Sequence, residues 1–334
     1  MNKANILRIF PALFAVFAML MACGATKSNS SSDSSDSSDD VAANAERPAL
    51  AFSADSAYSY AARQVAFGPR VPGSDAHRKC GEWLASTLRS HGAEVEQQTS
   101  TLTTFDGTSI PMRNIIARIN PSSPDRILLL AHWDSRPWAD NDPDPAKHDT
   151  PVDGANDGAS GTALLLELSR VLAQDSTFSS TGVDILLCDA EDWGTENNDE
   201  SWAMGARYFA RDAAAKGYMP KAAILVDMVG APDATFMREY FSQQAAPALA
   251  DEIWNIAASL GYASMFPNRM GSAVNDDHVE LIKAGIPAID IIDYREGSGF
   301  FPAWHTTADN LDAICPATIG AVGSVLEHYL RNNN

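Results

Sequence analysis

Four runs of sequence, at residues 127–131, 183–188, 222–226 and 286–292, are apolar almost without interruption, and segments of helical periodicity lie between them. A strand that is apolar at every position has to be buried on both faces, and a sheet achieves that only when helices cover it from both sides. The spacing predicts helices over 159–173, 201–215, 245–260 and 277–284, with Pro316 opening a last helix that ends at residue 330. Ahead of the runs, 58–67 and 74–88 read as amphipathic helices, the second closed by Gly92 as a left-handed cap. Residues 94–103 and 113–119 alternate in the manner of strands around the turn signal Asp106-Gly107. The predicted class is therefore α/β, a mixed, mostly parallel central sheet flanked by helices on both faces. No internal repeat is present.

The first 50 residues differ in kind. Lys3 and Arg8 precede an apolar run over 9–21, too short for a stable membrane span but suited to the apolar region of a secretory signal. It ends in Leu20-Met21-Ala22-Cys23, which resembles a bacterial lipobox, with Cys23 as the lipidated N-terminus; an ordinary signal cleaved near Ala25 is the alternative. Residues 28–40 are nearly all Ser and Asp, so they have nothing apolar to bury and read as a disordered, self-repelling tether. The chain thus divides into a lipoprotein signal peptide (1–22), a tether (23–50) and a single folded domain (51–334). The expected location is the bacterial cell envelope, with lipidated Cys23 holding the protein to the outer membrane on its periplasmic side.

Charge excludes one class of partner. The chain carries 24 basic against 43 acidic side chains, a net charge of −19, and only five of the acids lie in the first 50 residues. Phosphate affinity is built from Lys and Arg, so nucleic acid is not an expected partner. Beyond Cys23 there remain Cys80, Cys188 and Cys315, which permit at most one disulfide and show no CxxC spacing. Any metal must be held by oxygen and nitrogen.

In open α/β sheets the ligand crevice lies beyond the carboxyl ends of the strands. The run 127–131 is followed by His132-Trp133-Asp134-Ser135, the run 183–188 by Asp189-Ala190-Glu191-Asp192-Trp193, and the run 222–226 by Asp227, so each delivers titratable groups to one edge. Gly154-Ala155-Asn156-Asp157-Gly158 turns into a helix without the spacing of a phosphate loop, and a carboxylate there favours a cation; taken alone, Asp157 reads first as a helix cap. Adjacent Glu191 and Asp192 point to different faces, which leaves one to ligate a metal and the other free as a base. His305, in Trp304-His305-Thr306, would by itself be structural. As a set, Asp157, Asp192 and His305 offer two hard oxygens and an imidazole, which suits zinc with an open fourth position.

The series AHWDS (131–135), GANDGASG (154–161), DAEDWG (189–194), LVDMVGAPDATF (225–236), NDDH (275–278) and AWHTTADN (303–310) resembles the glutaminyl-peptide cyclotransferase (glutaminyl cyclase) family, in particular its bacterial form, which shares the zinc aminopeptidase-like fold. The resemblance spans essentially the whole body from about residue 55. It implies Asp157, Asp192 and His305 as ligands of one zinc, Glu191 as general acid/base, and Asp227 and Asp276 as supporting acids that bind the substrate amine. Trp304, Trp193 and Phe301 would wall the pocket. Two departures are visible. Asp192 stands where many members have Glu, and Asp290 where animal members have a histidine.

The activity implied is conversion of N-terminal glutamine of peptides or proteins to pyroglutamate with release of ammonia, zinc serving as a Lewis acid. The substrate supplies its own nucleophile, so proximity is built in. Ligand types leave an alternative open, because His132, Asp157, Asp192, Asp227 and His305 are also the five-ligand set of a two-zinc aminopeptidase. Aromatic neighbours of the ligands, the 276–278 segment and the 136–152 insertion favour the cyclase. A binding module without catalysis is the third reading, and it fits poorly with a complete set of candidate positions.

Overall fold

The apolar runs become strands because each offers alternate residues to two separate cores. The computed structural model describes residues 51–295 and 297–334, which fall in a unit spanning Ala49–Asn334; the signal segment 1–22, Cys23 and the tether 23–50 lie outside the described residues. In chain order the strands are β1 (Glu94–Thr103), β2 (Ser109–Ile119), β3 (Arg126–His132), β4 (Gly182–Cys188), β5 (Ala222–Asp227) and β6 (Ala288–Ile292). They form one sheet in the order β1-β2-β4-β3-β5-β6. The last four are mutually parallel, and β1 and β2 add an antiparallel hairpin at one edge.

Register fixes which side chains share a face. Leu129 sits opposite Ile185 on one side and Ile224 on the other. Together with Ile127, Leu187 and Val226 these residues pack under α1 (Ala54–Val65), α2 (Asp75–Ser90) and α3 (Ala159–Gln174). Leu128, Leu130, Leu186, Cys188 and Leu225 point the other way, against α4 (Met204–Lys216). Full burial of each such side chain is worth about 1.5–3 kcal/mol, so a one-residue slip would expose both cores at once.

Further helices follow on the chain: α5 (Tyr240–Ala245), α6 (Pro247–Ser259), α7 (Asp277–Lys283) and α8 (Pro316–Asn332). A short hairpin of β7 (Tyr294–Arg295) and β8 (Gly299–Phe300) stands beside the main sheet. Leu281 of α7 joins the α4 side of the sheet, whereas Ile253 of α6 and Val322 of α8 join the other side.

Several boundaries differ from the sequence reading for identifiable reasons. The helix expected over 245–260 is α6, which starts at Pro247 because proline suits the first helical position, and a separate short helix, α5, precedes it, parted from it at Ala246 (φ −142°). The helix expected from residue 201 begins at Met204, after a 3-10 turn over Asp199–Ser201 and a left-handed Ala203. At the hairpin, Gly107 takes φ 84° as a turn residue, but the loop spans 104–108: Thr108 N–H donates to Asp106 Oδ1 at 2.9 Å, and Thr104 N–H to the Thr108 carbonyl at 2.9 Å. Cys80, Cys188 and Cys315 are all free thiols, and burial pushes the Cys80 thiol up to about 12, which makes it inert. Among the described residues no helix is long and apolar enough to cross a membrane.

Candidate metal centre at the carboxyl ends of the parallel strands

His132 ends β3, Asp227 ends β5, and Glu191 and Asp192 follow β4, so parallel pairing brings these residues to one edge. Asp157 arrives from the glycine turn before α3. Its alternative role as a helix cap does not hold: the cap is Gly158, with φ 93°. A Cβ on Gly158 would lie 2.5 Å from the Asp134 carbonyl oxygen, so only glycine lets the turn pass so near β3. His305 comes from the loop after β8, itself left-handed at φ 55°; Ala190 (φ 55°) and Met228 (φ 49°) are left-handed directly after β4 and β5. Such backbone costs of order 1–3 kcal/mol each and persists where surrounding contacts enforce it.

Two triads share one carboxylate. Asp157 Oδ1 lies 2.9 Å from His132 Nε2, which is in turn 3.2 Å from Asp227 Oδ1. Asp157 Oδ2 lies 3.7 Å from His305 Nε2, and His305 Nε2 is 3.2 Å from Asp192 Oδ1. Within each triad one ligand atom per residue falls inside 4.8 Å of the others, the compass of a metal ion's donor set. Asp192 Oδ2 is buried without a hydrogen-bond partner, an orphaned anionic oxygen that a cation would satisfy. The donor set and this orphan fit a metal ion at Asp157, Asp192 and His305.

Hydrogen bonds hold the ligands in place. Asp134 accepts from the backbone N–H groups of Glu191 and Asp192, both at 3.2 Å, and Asp309 accepts from those of Asn156 and Asp157 at 2.8 and 3.1 Å. Arg136 donates to Asp140, to the carbonyls of Asp192 and Gly194 at 3.1 Å, and to Asp192 Oδ1 at 3.3 Å. Partners of this kind set the direction in which each ligand faces and tune the ion it would hold.

Burial raises the pKa of most acids here. Glu191 is pushed well above the usual carboxylate range by burial, with Asp276 and Asp192 adding to the effect. Asp276 rises to about 7 through burial, reinforced by the nearby Asp227. For His132 burial opposes the charge, but Asp134, Asp157 and Asp227 outweigh it and lift the imidazole well above its usual value. Neighbouring acids add to these upward shifts, a mutual repulsion that a bound cation or ammonium group would offset.

A cavity of about 280 Å³ opens onto this edge, lined among others by Asp157, Glu191, Asp227, Asp276, Trp304 and His305. Asp276 faces it and caps α7, accepting the Asp277 N–H at 2.6 Å, while Asp277 is wholly buried. The aromatic wall differs from the sequence reading. Trp304 stacks on His305 with ring centres 3.8 Å apart and lines the cavity, but Trp193 and Phe301 do not line it. Phe301 is buried beneath, among Met228, Val274 and Ile292, and Phe300 takes the lining position. Trp193 packs with Ile110, Met112 and Met204 off the pocket, and Trp202 closes that side, stacked on His305 at 5.9 Å. Trp202 carries no signal in the sequence: it lies ten residues beyond Asp192 and reaches the site because the 194–203 loop folds back.

Residues 114–330 match the model of peptidase family M28. A solved glutaminyl cyclase of Porphyromonas gingivalis is 49% identical, covers 85% of this chain and 99% of its own, and superposes with a TM-score of 0.83. A Zn-dependent exopeptidase of Parabacteroides distasonis is 45% identical over 84% of this chain and 98% of its own, with a TM-score of 0.81. A glutaminyl-peptide cyclotransferase of Drosophila melanogaster is 27% identical over 78% of this chain and 76% of its own length. The fold is the zinc aminopeptidase-like fold, and the chain belongs to peptidase family M28, in the group that contains the bacterial glutaminyl cyclases.

Proposed function

We propose that this chain is a zinc-dependent glutaminyl-peptide cyclotransferase, an acyltransferase that converts N-terminal glutamine of peptides or proteins to pyroglutamate and releases ammonia. What carries this reading is the near full-length likeness to the Porphyromonas gingivalis glutaminyl cyclase together with an aromatic and acidic cavity at the strand ends. Asp157, Asp192 and His305 would hold one zinc ion. Bound there, zinc supplies Lewis acidity toward a carbonyl oxygen.

The protein groups do the rest. Asp276 and Asp227 draw the substrate ammonium into the cavity. Once the ammonium has released one proton to solvent, Glu191, its pKa raised by burial, takes a second from the attacking α-nitrogen and gives it to the departing NH₂. A ring C–N bond forms at the γ-carbonyl as the amide C–N bond breaks, so atoms balance without a water molecule. Trp304 and Trp202 wall the cavity and exclude the water that would hydrolyse the amide instead.

A two-metal aminopeptidase is the second reading, favoured by the way Asp157 turns one oxygen to His132 and the other to His305. The two triads are alike in their spacing, and what favours the Asp192 side is the buried Asp192 Oδ2, which has no hydrogen-bond partner. Mass spectrometry of a Gln-initiated peptide separates the two: loss of ammonia is expected, and loss of a whole residue would establish the peptidase.

Lipid anchoring in the cell envelope rests on residues 1–23 alone. A Cys23→Ser protein is expected to leave the membrane fraction, and an unchanged distribution would refute the anchor.

A further inference from the structure

We propose that an aromatic strip outside the cavity, running from Trp202 over Arg136 to Trp138 and Phe105, binds the polypeptide that follows the substrate's N-terminal residue and selects apolar side chains there; this rests on the cyclase reading above. The strip is continuous with the cavity. Trp202 lines the cavity wall, and the Arg136 guanidinium carbon lies 4.9 Å from its ring centre and 5.0 Å from that of Trp138. Phe105 meets Trp138 edge to face at 6.4 Å. Phe105 is 43% exposed at the tip of the β1–β2 hairpin, its covered part resting on Trp138 and the remainder open as apolar surface.

Geometry points to the substrate chain as the occupant. β2 runs antiparallel to β4, so the hairpin tip rises at the same edge of the sheet as Glu191 and Asp192. The Arg136 guanidinium carbon lies 4.9 Å from the Trp202 ring and 5.0 Å from that of Trp138, with Phe105 6.4 Å beyond, spans that an extended chain advancing about 3.3 Å per residue covers within three and two residues, so side chains four and six are the ones tested against Trp138 and Phe105. Positions two apart share one face of extended chain. Trp193, edge to face with Trp138 at 5.7 Å, supports the strip from beneath.

Charge sets the selection. Arg136 is buried, 3% exposed, and held by Asp140 and Asp192, so it fixes the spacing of the two rings from beneath and adds no exposed positive charge. Asp106 stands exposed next to Phe105, and Asp140 is 39% exposed two residues from Trp138. Apolar side chains gain contact on such a surface, whereas acidic ones meet flanking carboxylates.

The test compares Gln-Gly-Gly-Phe-Gly-Phe with Gln-Gly-Gly-Asp-Gly-Asp, alongside the dipeptide Gln-Gly. The full-length enzyme is expected to favour the aromatic peptide by about tenfold in kcat/KM, mostly through KM, equivalent to about 1.4 kcal/mol. In Phe105→Ser and Trp138→Ser proteins the ratio of the two peptides should fall toward one; a ratio near one in the unaltered enzyme, or one unmoved by both substitutions, would overturn the strip. Fluorescence anisotropy of the same peptides labelled at the C-terminus gives the ordering in Kd without turnover. An unreactive Gln-Gly would therefore sink the cyclase reading while the strip is still decided by binding. A dimer that dissociates on Phe105→Ser, with peptide affinities unchanged, would assign the strip to a second copy of the chain and refute the proposal.

Discussion

The carboxylate of Asp309 spans the backbone N–H groups of the shared ligand and of the residue before it, accepting from Asn156 at 2.8 Å and from Asp157 at 3.1 Å. Neither residue is near Asp309 in sequence, and Asp309 never reaches the cavity. It fixes the one residue that belongs to both triads, and so it sets how Asp157 divides its oxygens between His132 and His305.

Asp309→Asn replaces one acceptor oxygen with an NH₂ that opposes a backbone N–H. Groups that orient ligands in this way are typically worth 10–100-fold in metal affinity, so zinc retention against a competing chelator should weaken by about that factor. Retention within about twofold of the parent would show that the turn before α3 holds its shape unaided.

Glu191→Gln keeps size and polarity but removes the proton acceptor. Turnover of a Gln-peptide should fall by about 10²–10⁴-fold with zinc content unchanged, since Glu191 belongs to neither triad. Stopped-time ammonia release measures the first and elemental analysis the second. Activity within about tenfold of the parent would remove Glu191 from the proton-transfer role.

Gly194 makes room for the cavity wall. A Cβ there would lie 1.9, 2.3 and 2.4 Å from atoms of the Trp202 ring, so Gly194→Ala has to displace that indole. The expected outcome is a raised KM with a smaller change in kcat, and a loss of stability of about 1–3 kcal/mol by urea denaturation. An unchanged KM would mean that Trp202 does not contact substrate.

Glu239 offers a pH test away from the metal. Burial works against its charge, but His278 Nε2 at 3.1 Å and the N–H groups of Phe241, Ser242 and Val274 at 2.9, 2.6 and 3.0 Å hold its pKa at about 2. A carboxyl depressed in the folded state contributes stability that is present above its unfolded pKa and lost as pH falls through the folded one. The contribution, roughly 3 kcal/mol at most, should therefore disappear between about pH 4.5 and pH 2. Urea midpoints measured across that window should drop more steeply for the parent than for Glu239→Gln; parallel curves would contradict the assignment.

Much of the site is legible in the order of residues along the chain. The apolar runs require helices on both faces, and parallel strands send their carboxyl ends one way, so His132, Glu191, Asp192 and Asp227 have to meet. Spacing does not say which of Asp276 and Asp277 faces the cavity, because that depends on where α7 starts. The capping role of Asp276 decides it: a carboxylate turned back onto its own helix N-terminus stays at the cavity surface, and the next side chain is carried inward.

The aromatic wall is not legible, for a different reason. Trp193 adjoins a ligand in sequence, yet it follows a left-handed Ala190 and lands among Ile110, Met112 and Met204 on the outer side. The sheet, its layering, the acids and histidines at its edge and the metal chemistry they suit all follow from residue order, because periodicity and residue type act locally. Folding adds that Asp157 serves two triads, that Trp202 replaces Trp193 at the wall, and that Asp309 and Asp134 hold the ligands. Those relationships depend on loops brought together from distant points of the chain, and no local propensity records where such loops return.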